Sequence, residues 1–529
     1  MPDYPAQQQL VTALLAPQRY PHAVKGVRVV ETHISWVLLA GRYAYKIKKA
    51  VDLGFLDFTR LKARHHYCAE EQRLNRRLAP GLYLDVVAIT GTPKNPQLDG
   101  SGNAIEYAVK MRRFPANALM DKQLARERIT PQHIDRLAAI LARFHAGLPA
   151  ASDPAYGSAV SIHAAALQNF EQLQALLHDT DELQILAAAR QASENEYSAC
   201  AEIFERRRVQ GHVRECHGDL HLGNIALLRG EPVPFDGIEF DPGLRWIDVI
   251  NEVAFLYMDL LHHQQPGLAA RFLNAWLEQT GDYAGMSVLH FYCAYRAMVR
   301  AKVDAIRAAQ PGLKKRARKN GMIACRDHLV LAARCLARQQ PALIITHGLP
   351  GSGKTSFAQA ALENLQAVRI RSDVERKRLF SLAAHENSRS AVDGGIYSMQ
   401  ATVQTYARLL ELAQQLLAAG YPVIVDAAFL RHEERRQFRE LAGRMNAPFA
   451  IASLQAANDT LRTRIMQRQA QDGDASEAGL EVLEKLRRTE EPLTREETEC
   501  AAIFDDVQEM NFGGTAAWRR LQECIGAIR

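Results

Sequence analysis

The chain has 529 residues, more than one hydrophobic core organises, so roughly two to four domains are expected. Hydrophobic residues make up 47% and charged residues 23%, the balance of a soluble globular protein, and no apolar run reaches the roughly 18 residues of a membrane helix. The net charge of +6 is modest on this length; it permits an anionic substrate and by itself gives no indication of nucleic acid.

Residues 27–48 alternate like two strands joined by a tight turn at Gly41. Residues 57–78 have a helical period, with Leu61, Tyr67, Leu74 and Leu78 toward one face. Strands follow in 83–90 and 104–114, and from about Pro131 the pattern is helical through Arg208. A short strand-loop-strand section, 213–240, precedes long helices that run to about Arg338. A few strands before a mostly helical body predict an α+β, two-lobed domain. From Pro341 the rhythm changes: an apolar strand (342–348), a helix (356–365), a strand (367–372), a long helix (397–419) and another apolar strand (422–429). That alternation predicts an α/β domain with a parallel sheet and helices on both faces. The boundary falls near 336–341, giving domains of 1–338 and 339–529. Just before it, Lys314-Lys315-Arg316-Ala317-Arg318-Lys319 reads as a solvated loop or helix end.

The 213–240 section holds His217-Gly218-Asp219-Leu220-His221-Leu222-Gly223-Asn224 and then Phe235-Asp236-Gly237-Ile238-Glu239. Phosphoryl transfer needs a group that deprotonates the acceptor, oxygen ligands for magnesium and a cation on the donor phosphates. A protein-kinase catalytic loop has the same Asp-to-Asn spacing, with its magnesium-binding Asp on a nearby strand. On that pattern Asp219 accepts the acceptor hydroxyl's proton, and Asn224 and Asp236 hold Mg2+. His217 and His221 flank Asp219 like metal ligands, but His217 reads better as a brace for the loop.

The wording HGDxHxxN, followed by a hydrophobic-Asp segment, resembles the aminoglycoside phosphotransferase family, which includes choline-type and other small-molecule kinases. The resemblance covers about 1–335 and implies a bilobal, protein-kinase-like fold. Asp248 stands where that family has a further Asp closing the motif. The family also has a strand lysine that grips the α/β-phosphates of ATP and pairs with a helix glutamate. Lys46 and Lys48 compete for the first role, Glu70 and Glu71 for the second. The chain departs from the kinase pattern in having no GxGxxG loop before the lysine strand, so residues 31–35 take that place with backbone and hydroxyl groups. Glu239, Asp241, Asp248, Glu252 and Asp259 are the acidic groups available to a polycationic acceptor.

A second signature lies at Gly348-Leu349-Pro350-Gly351-Ser352-Gly353-Lys354-Thr355, followed by Ser356. It satisfies the Walker A pattern after an apolar strand and before a helix. Gly348, Gly351, Ser352 and Gly353 bring backbone N–H groups to the β-phosphate, with Ser356 at the same helix start; Lys354 neutralises β/γ charge and Thr355 supplies an oxygen to Mg2+. Asp426 ends the 422–429 strand as the Walker B-type carboxylate for Mg2+. Ser372-Asp373-Val374-Glu375-Arg376 is similar to the acceptor region of small P-loop kinases such as gluconate kinase, chloramphenicol phosphotransferase and the zeta-toxin group. That likeness implies Asp373 as acceptor base and Arg376 as an acceptor or phosphate clamp. Arg464 and Arg468 lie at i, i+4 on one helix face, similar to the lid of such kinases, and residues 472–478 read as a mobile turn beside it.

Together the two signatures resemble bacterial proteins that join an aminoglycoside-phosphotransferase-like domain to a P-loop kinase. The expectation is a bifunctional kinase using ATP and Mg2+, with small-molecule hydroxyl acceptors, and no membrane partner. The alternatives are a polynucleotide 5′-kinase activity of the P-loop domain, or a nucleotide-dependent regulator with an inactive kinase-like domain. Eight cysteines without a CxxC pair, and a start with no basic segment, point to a reduced, cytoplasmic protein.

Overall fold

Alternation in 27–48 folds into three antiparallel strands, β1 (Val27–Glu31), β2 (Ser35–Ala40) and β3 (Tyr43–Lys48). Two strands were expected. The extra turn forms at 32–35, where the Thr32 amide donates to the Ser35 carbonyl and the Ser35 amide to the Thr32 hydroxyl. Gly41 makes the other turn with φ +59°, a conformation that glycine adopts without a Cβ clash. The structure is a computed structural model; it describes residues 4–526 apart from 53, 55, 311, 339, 384–385, 387, 389–393, 471–478 and 506–514. The expected turn at 472–478 lies outside the described residues.

Contacts divide the chain into two compact units, Met1–Gln168 with Ala201–Asp259, and Asn169–Cys200 with Leu260–Arg529. In the first, β4 (Tyr83–Thr92), β5 (Asn95–Leu98) and β6 (Ala104–Arg112) complete a six-stranded antiparallel sheet in the order β1-β2-β3-β6-β4-β5. Side chains alternate across β3: Tyr45 and Ile47 enter one core with Trp36, Leu38 and Ile89, while Ala44 faces Cys68 of the helix Leu61–Asn75. Lys46 and Lys48 share Ala44's face.

That helix buries a different stripe from the one its apolar period predicts. Arg64, Cys68, Glu71, Leu74 and Asn75 are buried, whereas Leu61 and Tyr67 are half-exposed. The buried polar groups are matched: the Arg64 guanidinium donates to Glu106 at 2.9 Å, and Asn75 accepts the Gly237 amide at 2.7 Å. Below the sheet, β7 (Val213–Glu215), β8 (Ile225–Leu228), β9 (Glu231–Pro234) and β10 (Trp246–Asp248) form two short antiparallel pairs, β7 with β10 and β8 with β9, that carry the first motif.

The second unit contains a five-stranded, all-parallel sheet in the order β12-β13-β11-β14-β15, with β11 (Leu343–His347), β12 (Val368–Arg371), β13 (Val423–Asp426), β14 (Phe449–Gln455) and β15 (Ala501–Asp505). The last two strands were not foreseen in the sequence. The helix Pro266–Thr280 covers the β12 edge. Asn274 there acts as a surrogate strand: its amide N–H donates to the Ala367 carbonyl at 3.0 Å and its oxygen accepts the Arg369 amide at 2.7 Å.

Arg435, fully buried on the helix His432–Arg444, ties the loop after β13 to the segment before β15. Its guanidinium donates to both Glu497 oxygens and to the carbonyls of Phe429, Glu491 and Pro492. Burial opposes charge on Glu497, yet Arg435 and the Thr494 amide hold its pKa down to about 2. The pair therefore stabilises the fold above the ordinary glutamate pKa, and that contribution fades as pH falls toward 2. Glu497→Gln is expected to destabilise the second unit by about 3–5 kcal/mol at pH 7 by leaving Arg435 uncompensated. In calorimetric melts the gap to wild type narrows as pH falls below about 4.5; a gap unchanged across that range would sink the charge account.

Candidate phosphate sites

Glu252, buried on the helix Val249–His262, fixes the first motif's loop. One carboxylate oxygen accepts the His217 and Gly218 amides at 2.6 and 2.8 Å; the other meets His145 Nε2 at 3.0 Å. Burial opposes its charge, but His145 and these N–H groups keep Glu252 below the usual carboxylate range. Gly218 has φ +86°, and a Cβ there would lie 2.8 Å from the Leu244 carbonyl oxygen, so the turn requires glycine. His217 Nε2 meets the Phe235 carbonyl at 2.8 Å, which supports the brace and not the metal reading.

Asn224 donates to both the Asp219 carbonyl (3.0 Å) and the Asp219 carboxylate (2.9 Å), and His221 Nε2 stands 3.6 Å from the same oxygen. The Phe235 amide donates to the Asn224 carbonyl, which joins this loop to the strand end carrying Asp236. Asp236 has φ +63°, an uncommon conformation for an aspartate, and its amide is held by the buried Tyr83 hydroxyl at 3.1 Å.

The lysines separate clearly. Lys46 Nζ lies 2.8 Å from Glu71 and 2.5 Å from Asp236, whose side chain is 42% exposed. Lys48 is wholly buried, lies 2.7 Å from the other Glu71 oxygen and bonds Glu239. Glu70 instead pairs with Arg73. Burial works against Glu71's charge, but the two ammonium groups hold it down to about 2. Burial pushes Glu239 up, with Lys48 opposing. Glu71 is thus the shared partner, Lys48 is sealed inside, and Lys46 faces the accessible carboxylate.

The acidic groups expected for a polycationic acceptor have internal partners. Glu239 bonds Lys48, Glu252 holds the loop, Asp248 takes a two-point contact from Arg207, and Asp259 accepts the Leu222 amide. Asp241 accepts the Gly243 amide. Of these, Glu239 was traceable through its spacing three residues after Asp236. Glu252, His145, Asn75 and Tyr83 carried no local signal, because their partners are distant in the chain. For a divalent cation, Asp236 offers a carboxylate that an ammonium already balances, and Asn224 carries an amide oxygen on the loop joined to it; hard oxygens of this kind fit Mg2+.

In the second unit the phosphate loop follows β11, with φ +142°, +84° and +98° at Gly348, Gly351 and Gly353. A Cβ on Gly348 would fall 2.4 Å from the Leu454 carbonyl oxygen. Lys354 Nζ donates to the Gly348 and Leu349 carbonyls, both at 2.9 Å. Burial takes its pKa down to about 8 against the pull of Asp426 and Asp373. Thr355 and Ser356 are exposed at the first turn of the helix Lys354–Leu365. The Ser352 hydroxyl and one Asp426 oxygen are buried without a hydrogen-bond partner among the described residues. Two orphaned oxygens beside a lysine fit a magnesium nucleotide.

Asp373 opens the helix Ser372–Leu379, within electrostatic reach of Lys354. Arg464 donates to the Gly351 carbonyl at 3.3 Å, and Arg468 is near enough to Lys354 to depress it. Arg376 donates to the Ile396 carbonyl and the Thr402 hydroxyl and lies over the Tyr397 ring.

Known proteins are similar to this chain in sequence. Uncharacterized protein Rv2004c of Mycobacterium tuberculosis is 31% identical over 458 residues, covering 85% of this chain and 88% of that protein, and Mb2027c of Mycobacterium bovis matches equally. The chain belongs to their family. The model described as "Phosphotransferase enzyme family" matches 55–289 and that described as "AAA domain" matches 343–493. The protein is a phosphotransferase enzyme, with an aminoglycoside-phosphotransferase-type segment joined to a P-loop kinase segment. Among solved structures, amicoumacin kinase hAmiN is 15% identical, covering 61% of this chain and 92% of that one, with a TM-score of 0.39. A gluconokinase from Sinorhizobium meliloti is 19% identical, covering 36% and 97%, with a TM-score of 0.26.

The two lysines give opposite expectations. Lys48→Met strands Glu239 in the interior, takes one of Glu71's two cations and lowers stability by about 3–5 kcal/mol. Lys46→Met leaves Lys48 on Glu71, so the fold holds while first-site nucleotide binding is lost. Melting curves paired with nucleotide titration check this; equal melting losses in the two variants would refute the division.

Proposed function

We propose that the protein is a cytoplasmic kinase with two separate sites, each moving the γ-phosphate of ATP to a hydroxyl of a small molecule. The observation that carries this reading is the line Glu71–Lys46–Asp236 together with the Asp219–Asn224 pair, which the Phe235 amide ties to the strand end carrying Asp236. Mg2+, when bound, would neutralise phosphate charge beside Asn224 and Asp236 in the first site, and beside Thr355 and Asp426 in the second.

In the first site Lys46, held by Glu71, exchanges Asp236 for the donor phosphates. Asp219, oriented by Asn224, takes the proton of the acceptor hydroxyl. The acceptor oxygen bonds to the γ-phosphorus as the bond to the β,γ-bridging oxygen breaks, and ADP leaves. Glu239, Asp248, Glu252 and Asp259 have internal partners, which argues against recruitment of a polycation by these groups.

In the second site Lys354 is parked on its own loop's carbonyls and transfers to the β/γ-phosphates. Asp373 serves as acceptor base, and Arg464 and Arg468 balance charge on the transferred group. Arg376, bonded to 396 and 402, acts as a strut for the segment beside Asp373 and not as a mobile clamp. The cytoplasmic assignment is supported by eight free cysteines, six of them buried. Among the described residues, no helix is long and apolar enough to cross a membrane.

The test is transfer of labelled γ-phosphate from ATP into a small-molecule cell extract. Asp219→Ala and Lys354→Ala are each expected to lose a different labelled product, by at least about 100-fold. If neither substitution changes any product, both catalytic assignments fail and the regulator reading takes their place.

A further inference from the structure

Asp426 has a neighbour that neither phosphate motif includes. Arg371 ends β12 in register with Asp426 on β13, and its Nε lies 3.7 Å from Asp426 Oδ2. Its Nη1 lies 3.7 Å from Glu278 Oε2. Glu278 belongs to the helix Pro266–Thr280, outside the 343–493 match and inside the 55–289 match. The other Glu278 oxygen accepts Arg369 at 2.6 and 2.8 Å, and the Glu278 carbonyl accepts Arg378 at 2.5 Å. Glu278 is therefore anchored on three arginines of the P-loop segment.

Arg371 stands between two carboxylates, and the balance matters for Asp426. Burial disfavours the charged form of Asp426, and Arg371 is the first of the cations that oppose this. A guanidinium that closed fully on Asp426 would occupy its oxygens with two parallel hydrogen bonds. At 3.7 Å it balances the charge and leaves Asp426 Oδ2 without a hydrogen bond.

We propose that Glu278 is a positioning residue of the second site: by sharing Arg371 it keeps that guanidinium from closing on Asp426, and so preserves an Asp426 oxygen for the magnesium nucleotide. The proposal rests on the reading of the P-loop as a magnesium-nucleotide site. It makes a residue of the phosphotransferase-matched segment set the metal requirement of the P-loop.

The experiment titrates Mg2+ against binding of a fluorescent ATP analogue to the full chain, taking as second-site signal the part lost in Lys354→Ala. Glu278→Gln is expected to raise the half-saturating Mg2+ concentration at least about tenfold, the usual loss when a group that orients a metal ligand is removed. Binding of the analogue without Mg2+ stays at the wild-type level. In an Arg371→Gln background the same substitution adds nothing, because its effect passes through Arg371. Asn274→Ala, on the same helix, separates positioning from scaffolding: it removes two backbone contacts to β12 and lowers the melting temperature, yet leaves the Mg2+ requirement unchanged.

A Glu278→Gln curve that overlays wild type overturns the proposal, as does an Mg2+ requirement that rises in Asn274→Ala in step with its melting loss. Should Glu278→Gln not fold, Glu278→Asp, which keeps the charge and shortens its reach, carries the same expectation and the same refutation. If Lys354→Ala loses no signal, or Asp426→Asn leaves the Mg2+ requirement unchanged, the magnesium-nucleotide reading itself falls and the proposal with it.

Discussion

A carboxylate removed from water has to find cations at hydrogen-bonding distance, and Glu71 finds two. The period of β3 puts Lys46 and Lys48 on one face, and the buried stripe of the helix Leu61–Asn75 delivers Glu71 between them. Desolvation of each ion costs several kcal/mol, so Glu71 is stable there only with an ammonium beside it, and Lys48 only with its carboxylates. Lys48 is closed off by Glu239, which leaves Lys46 as the cation that meets the half-exposed Asp236. One buried charge thus fixes the lobe and decides which ammonium faces the accessible carboxylate of Asp236.

The pattern of satisfied and unsatisfied polar atoms marks the second site in the opposite way. Arg435 has partners for its guanidinium on every side and belongs to the scaffold. The Ser352 hydroxyl and Asp426 Oδ2 are buried without a hydrogen bond among the described residues, and Lys354 rests on carbonyls of its own loop. A buried oxygen left without a donor costs about 1–3 kcal/mol, and a fold retains that cost where a ligand removes it.

What was legible in the sequence followed from local chemistry. The parallel sheet was visible as apolar strands alternating with helices, and the phosphate loop as glycines at fixed spacing. The buried face of the helix Leu61–Asn75 was not, because apolar period marks a core face only where the core is apolar. Here Arg64, Glu71 and Asn75 are buried through partners 42, 25 and 162 residues away, Glu106, Lys46 and Gly237. The role of Glu252 was hidden for the same reason: it acts on backbone amides 35 and 34 residues earlier. Asp219, Asn224 and Asp236 were legible as a group because the loop and strands that carry them are contiguous in the chain.

The change of rhythm near 338 marks where strands begin to alternate with helices, whereas the last of the contact boundaries lies at 259/260. Between them is a helical segment whose start, up to 289, matches the phosphotransferase model while its contacts lie with the P-loop sheet. The physical reason is the exposed edge of β12. A parallel sheet leaves unpaired N–H and C=O groups at its rim, and Asn274 supplies both a donor and an acceptor at that rim, as a neighbouring strand would. Glu278 one turn on gathers Arg369, Arg371 and Arg378. A cut at 338/339 would remove that cover, leaving the Arg369 amide and the Ala367 carbonyl without their partner, Arg369 and Arg371 without the Glu278 carboxylate, and Arg378 without the Glu278 carbonyl. The covalent order of the two kinase segments is therefore part of the second site's construction, since the helix that finishes its sheet is encoded before the phosphate loop begins.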